Sequence, residues 1–158
     1  MAHNPVNHPL RPLYRAIGAL TGVYLILFGI VGLIVTAGDG LLGTNGNRVL
    51  GQGANLFWSI VSLVLGVIVV AVTALGRNLD AEVDTVIGWG LLVVGSYGLA
   101  VTRTNANFLD FTIATVVVTY LVGLLLIMTG LYSKVAPPQV AGRSRQDHEA
   151  PVREATSA

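Results

Sequence analysis

The chain has 158 residues, 53% of them hydrophobic and only 11% charged, with a formal net charge of +1 and no cysteine. Soluble domains carry roughly 25% charged residues, so this composition excludes an ordinary water-soluble fold. It also excludes thiol nucleophiles, disulfides and cysteine-ligated metals, and a charge so near zero offers nucleic acid no basic surface.

Residues 1–15 contain Asn4-Pro5, His8-Pro9 and Arg11-Pro12 and read as an extended segment ahead of the first apolar run. Four uncharged stretches follow: Ala16 to Gly38, Val49 to Gly76, Thr85 to Thr102 and Phe111 to Ser133. Helices of about 18 residues or more, rising ~1.5 Å per residue, cross a hydrocarbon core of roughly 30 Å while satisfying their own backbone hydrogen bonds. The pattern predicts four transmembrane helices over 16–37, 54–75, 85–102 and 111–132. The third follows an acidic loop, and because carboxylates favour a helix N-terminus its first turn is expected to reach back to Val83 or Asp84. Residues 16–133 form one membrane domain on this reading. Pro137-Pro138 ends it, and 134–158 is expected to be a disordered cytoplasmic tail.

The sequence repeats itself. Gly22, Gly29 and Gly32 return as Gly88, Gly95 and Gly98, each 66 residues later, and Val35-Thr36 returns as Val101-Thr102. Thr44-Asn45-Gly46-Asn47 returns as Thr104-Asn105-Ala106-Asn107 at an offset of 60, so the first copy has six extra loop residues. The expected fold is therefore all-α: a four-helix bundle of two same-topology hairpin repeats, about 16–75 and 85–132. At 100° per residue Gly18, Gly22, Gly29 and Gly32 fall within roughly 80° on one helix face, and Gly88, Gly95 and Gly98 repeat that arc. Small residues let helices approach closely in lipid, so the first and third helices are expected to be the closest pair.

Arg11, Arg15, Arg77, Lys134, Arg143, Arg145 and Arg153 fall on one side of this topology, against Arg48 and Arg103 on the other. Positive residues stay inside, so both termini are expected in the cytoplasm of a multi-pass cell-membrane protein. Val35-Thr36-Ala37 resembles a signal-peptidase site, but its apolar run of 22 residues exceeds the ~7–15 of a secretory segment, so the first span is expected to remain.

No ionisable residue is expected within the hydrocarbon core; Asp80, Glu82 and Asp84 are read as a water-accessible cytoplasmic turn. The most specific polar feature is the exported-loop set Thr44, Asn45, Asn47, Arg103, Thr104, Asn105, Asn107 and Asp110. Asparagines there can hold turns or cap helices, with a binding surface as the sharper alternative. Asp110 is expected to cap the fourth helix or sit in solvent; pairing with Arg103 or lining a vestibule is the alternative. Ser59, Ser62, Thr112, Thr115 and Thr119 form short stripes that bond helix carbonyls or, alternatively, line a narrow aqueous path. Trp58, Trp89, Tyr14 and Tyr132 are placed at membrane interfaces. His3, His8 and His148 are confined to the tails, so no catalytic residue, metal or cofactor is expected.

Two glycine-rich hairpins, with Thr44-Asn45 followed by Asn55-Leu56-Phe57-Trp58 and Thr104-Asn105 followed by Asn107-Phe108-Leu109-Asp110, resemble a bacterial domain-of-unknown-function family of small four-span membrane proteins. The resemblance covers about Tyr14 to Tyr132. In that family histidine usually stands three residues after the asparagine, where this chain has Trp58 and Asp110, so no role of that histidine carries over. The resemblance implies fold and location without an activity. The functional expectation is a non-enzymatic accessory or structural membrane protein, with a small oligomeric channel or carrier for an uncharged or lipid-like solute as the alternative. Its expected partners are the lipid bilayer and either further copies of itself or a larger membrane complex, with no nucleic acid.

Overall fold

The computed structural model describes residues 6–136. The expectations for the tail beyond Ala136, including Arg143, Arg145 and Arg153, lie outside the described residues. Four helices account for nearly all the regular structure: α1 (Arg11–Val35), α2 (Leu56–Leu75), α3 (Leu79–Val101) and α4 (Ile113–Tyr132). All four are long and apolar enough to cross a membrane. Between α1 and α2 lies an antiparallel ribbon of two-residue strands, β1 (Arg48–Val49) and β2 (Gln52–Gly53). Its turn places Leu50 and Gly51 at φ of 50° and 80°, the left-handed pair that a tight hairpin demands.

The helix ends follow from local chemistry. Pro12 stands in the first turn of α1, where its missing N–H leaves nothing unpaired. The helix thus begins at Arg11, ahead of the charge-free stretch, and carries Arg11 and Arg15 within it. Asn55 caps α2, its side chain accepting from the Trp58 N–H at 2.9 Å. Thr112 caps α4 in a reciprocal capping box with Thr115. Gly76 at φ 65° closes α2, and α3 starts three residues later with Asp80 and Glu82 in its first turn, where they complement the helix dipole. The acidic segment expected as a loop is therefore helical.

The helices pack in pairs, α1 with α2 and α3 with α4, and the two pairs meet more sparsely. Here the expected partnership of the first and third helices is corrected. A Cβ on Gly22 would stand 3.1 Å from the Gly66 carbonyl oxygen, one on Gly29 would stand 2.6 Å from the Leu63 amide, and Gly32 lies against Ser59, all on α2. On the other side a Cβ on Gly88 would stand 2.7 Å from the Gly123 carbonyl, while Gly95 faces the Tyr120 ring and Gly98 faces Phe111 and Val116. Each stripe closes its own hairpin, although the shortest connection, residues 76–78, joins α2 to α3. Gly18 alone faces the other pair, its Cβ direction pointing at Asp84 and Thr129.

Leu25, Phe28, Val69, Leu91, Val122 and Leu126 fill the bundle centre. Trp58 is buried as well, edge-on to Phe111 at 4.8 Å, so its ring packs inside the protein and does not face outward. The outside is apolar: Leu20, Ile34, Val86, Val93 and Leu121 are all more than half exposed. Both described ends of the chain lie at one end of the bundle, where the Asn7 N–H donates to the Lys134 carbonyl at 3.0 Å and Arg11 Nε to the Ser133 carbonyl at 2.8 Å. Residues 7–10 are thus tied to the bundle.

Candidate functional site

Polar side chains gather at the two ends of the bundle. At the end carrying the long loops, the hairpins are laced together through their connections. Asp110 is buried at φ 56°, and its Oδ2 accepts from the backbone N–H groups of Asn45 at 3.3 Å and Gly46 at 3.1 Å. Charge-assisted bonds of this kind are stronger than neutral ones. Asp110 neither caps α4 nor pairs with Arg103, which is exposed. Its carboxylate anchors the first hairpin's loop to the second hairpin.

Asn55 extends that link. While its Oδ1 caps α2, its Nδ2 donates to the Phe108 carbonyl at 2.7 Å and stands 3.4 Å from the Gly43 carbonyl. Thr115 Oγ1 donates to the Gly53 carbonyl at 2.9 Å, and the Gly53 N–H returns a bond to Thr112 Oγ1 at 3.2 Å. Gly53 has no space for a side chain, because a Cβ would meet the Asp110 carbonyl oxygen and, at 2.6 Å, Thr112 Cγ2. Asn107 closes on Phe111, donating to its carbonyl and accepting from its N–H.

Of the expected loop set, Asn45 and Asp110 meet across the hairpins, Asn107 holds its own turn, and Thr104 bonds locally to Val101 and Ala106. Asn47 bonds Asp39. Thr44, Arg103 and Asn105 are exposed. The repeated residues therefore form turns, not one convergent pocket. Sequence reasoning drew on Asn55 only through the family resemblance, although an asparagine directly before an apolar run is a cap signal. It passed over Gln52, which is buried and donates to the Tyr24 hydroxyl at 2.6 Å inside the bundle.

At the other end lies a buried ionic cluster, which corrects the reading of Asp80 and Asp84 as water-accessible, while Glu82 is exposed as expected. Asp80 and Asp84 are only 1% and 2% exposed. Four apart on a helix, they share a face, and that face turns inward. Arg15 on α1 ion-pairs with Asp80, Nε to Oδ2 at 3.0 Å, and donates from Nη2 to the Thr73 carbonyl on α2. Asp84 touches Thr129 on α4, Oγ1 to Oδ2 at 3.1 Å, and its Oδ1 is buried without a hydrogen-bond partner. All four helices contribute to this cluster.

Between the ends, the bundle centre holds a cavity of about 20 Å³ bordered by Tyr24, Gln52, Trp58, Ser62 and Thr119. Ser59, Ser62, Thr115 and Thr119 all point inward and are buried. Outside, a groove of about 260 Å³ runs between α1 and α4 along Ile17, Leu20, Thr21, Tyr24, Val122 and Leu125.

Neither a curated protein nor a solved structure matches the chain. The model of the family described as Domain of unknown function (DUF4383) matches residues 15–132, almost the whole of the four-helix unit, and the chain belongs to that family.

Proposed function

We propose that this protein is a non-enzymatic accessory or structural component of the cell membrane, with both termini in the cytoplasm. The observation that carries the reading is the direction of its side chains. Large aliphatic residues cover the outside, while Asn55, Ser59 and Thr115 spend their polar groups on contacts within one chain. Helices with such a surface bind lipid or the apolar flanks of other spans. The Ser and Thr stripes are enclosed within the monomer, and the central cavity is about the size of one water. That arrangement supports a packing role over conduction.

The matching contacts of the two glycine stripes support reading the hairpins as internal repeats. The same topology in both places their pseudo-twofold axis along the membrane normal. The basic residues flanking the termini and the α2–α3 turn support the cytoplasmic placement.

The outward groove between α1 and α4 favours one second reading, the handling of a lipid-like solute. Extraction of the tagged full chain from its own membrane into detergent-free lipid discs, followed by mass spectrometry, separates the two. A protein partner in fixed ratio is the expected result. Recovery as a homo-oligomer with one enriched lipid would overturn it in favour of the second reading.

A further inference from the structure

The ionic cluster at the termini end contains two buried carboxylates and one guanidinium. Arg15 is committed to Asp80. From α1, the surface presented to Asp84 is Gly18, whose Cβ direction ends 3.1 Å from Oδ2; from α4 it is the uncharged Thr129. On α3 the charged group that shares its face is Asp80, one turn away and of the same sign. Helix α2 contributes only the Thr73 carbonyl, bound to Arg15. His8, at the same end, packs on Tyr14 and Tyr132. Nothing in these surroundings neutralises Asp84, and an uncompensated charge in such a place is costly.

One arrangement of the hydrogen bonds would remove the charge. Thr129 Oγ1 lies 2.9 Å from the Leu126 carbonyl and 3.1 Å from Asp84 Oδ2. A hydroxyl has one proton to donate. Given to Leu126, the shorter of the two contacts and one whose acceptor can never donate, it leaves the Thr129 oxygen facing Asp84 as an acceptor. The contact is then a bond only if Asp84 supplies the hydrogen. With a proton on Oδ2, one chain of bonds runs from Asp84 to Thr129 to the Leu126 carbonyl. Oδ1 becomes a neutral carbonyl oxygen, for which lacking a partner costs far less.

We propose that Asp84 carries a bound proton and that the junction of α1, α3 and α4 is a proton-binding site joining the two hairpins. A metal cation is poorly matched to this place. Divalent ions of the calcium type take about six to eight oxygen ligands. Among the described residues no group of three or more His, Cys, Asp or Glu side chains is arranged to hold one. Loss of the proton sets a second negative charge one turn from Asp80, at a seam where the helix pairs meet sparsely. The folded chain holds a proton that the unfolded chain releases, so stability falls as pH rises through the titration of the site.

The test uses the full chain in lipid nanodiscs and infrared difference spectroscopy. At neutral pH the wild type should show the C=O stretch of a protonated carboxylic acid, shifted by ¹³C-labelled aspartate and lost on alkaline titration. Asp84→Asn, an amide of the same shape, should lack the band and melt at a temperature independent of pH over the same range. Absence of the band from the wild type, or its persistence in Asp84→Asn, would overturn the proposal. So would a band that changes when sodium is replaced by choline, which would identify a metal cation as the occupant. If Asp84→Asn does not fold, carboxyl ¹³C NMR of the wild type decides: one neutral aspartate at pH 7, perturbed by Thr129→Val, supports the site, and uniformly ionised aspartates refute it.

Discussion

Replacing Gly29 by alanine probes the packing of the first hairpin where the α2 backbone lies directly against it, and Gly95→Ala supplies a control at the matching position of the second. At Gly29 the added methyl would stand 2.6 Å from the Leu63 amide nitrogen and 2.8 Å from its Cα. These are backbone atoms and cannot rotate away. Ordinary contact begins at 3.4 Å, so α1 and α2 must separate by most of an ångström at this crossing. At Gly95 the nearest atoms belong to the Tyr120 ring at 3.5 Å, already ordinary contact. Overpacking costs typically ~1–3 kcal/mol, and a rigid backbone neighbour places Gly29→Ala at the upper end of that range. Alanine recovers up to about 1 kcal/mol of helix propensity at either site. The net expectation is a loss of ~2 kcal/mol for Gly29→Ala, and no loss or a slight gain for Gly95→Ala. Reversible unfolding in bicelles, followed by the fluorescence of buried Trp58, measures both. Equal losses, or a greater loss at Gly95, would refute the assignment of the stripes to their own hairpins.

Three other perturbations test the two ends of the bundle. Asn55→Ala removes the α2 cap and the bond to Phe108, with an expected loss of about 1–3 kcal/mol, whereas Asn55→Asp keeps the cap but sets a carboxylate oxygen, which cannot donate, against the Phe108 and Gly43 carbonyls. Paired melting curves should separate the two contributions. Asp110→Ala should leave the Asn45 and Gly46 amides without their acceptor, raising their hydrogen-exchange rates and lowering stability by roughly 1.5–3 kcal/mol, while Arg103→Ala stays within about 0.5 kcal/mol of wild type. Arg15→Gln strands Asp80 in its buried position and should cost about 3–5 kcal/mol in a denaturation assay, with partial recovery when Asp80→Asn is added.

The spans were legible because uninterrupted apolar length is a strong signal, and all four runs coincide with helices. Their ends were less so. A reading that stops a helix at the first charge fails where the charge is used inside the bundle, as with Arg11 and Arg15 at the start of α1 and Asp80 and Asp84 at the start of α3. The glycine stripes announced close approach, yet periodicity on one helix says nothing about which neighbour fills the groove. At the loop end, Asp110 was visible as a residue of interest while its partners were not. They are backbone amides of Asn45 and Gly46, 65 and 64 residues away, which no side-chain pattern marks. Asp84 shows the same limit: its importance depends on the count of charges that burial brings together, a count that exists only once the helices are assembled.

The reciprocal glycine crossings, Gly22 with Gly66 and Gly88 with Gly123, bear on how the protein can move. Each crossing sets two main chains against one another with no side chain between them. Sliding within a hairpin would drive carbonyl oxygens into the opposing backbone, and packed interfaces of this kind do not deform continuously. Each hairpin is consequently a stiff lever, and the compliance of the molecule is concentrated in the seam between the levers. That seam is pinned at one end by Asn55, Asp110 and Thr115 and at the other by Arg15 and Asp80. Freeing one pin would leave the other as a fulcrum, so a perturbation at either end of the bundle would be expressed as an angular displacement of whole helix pairs.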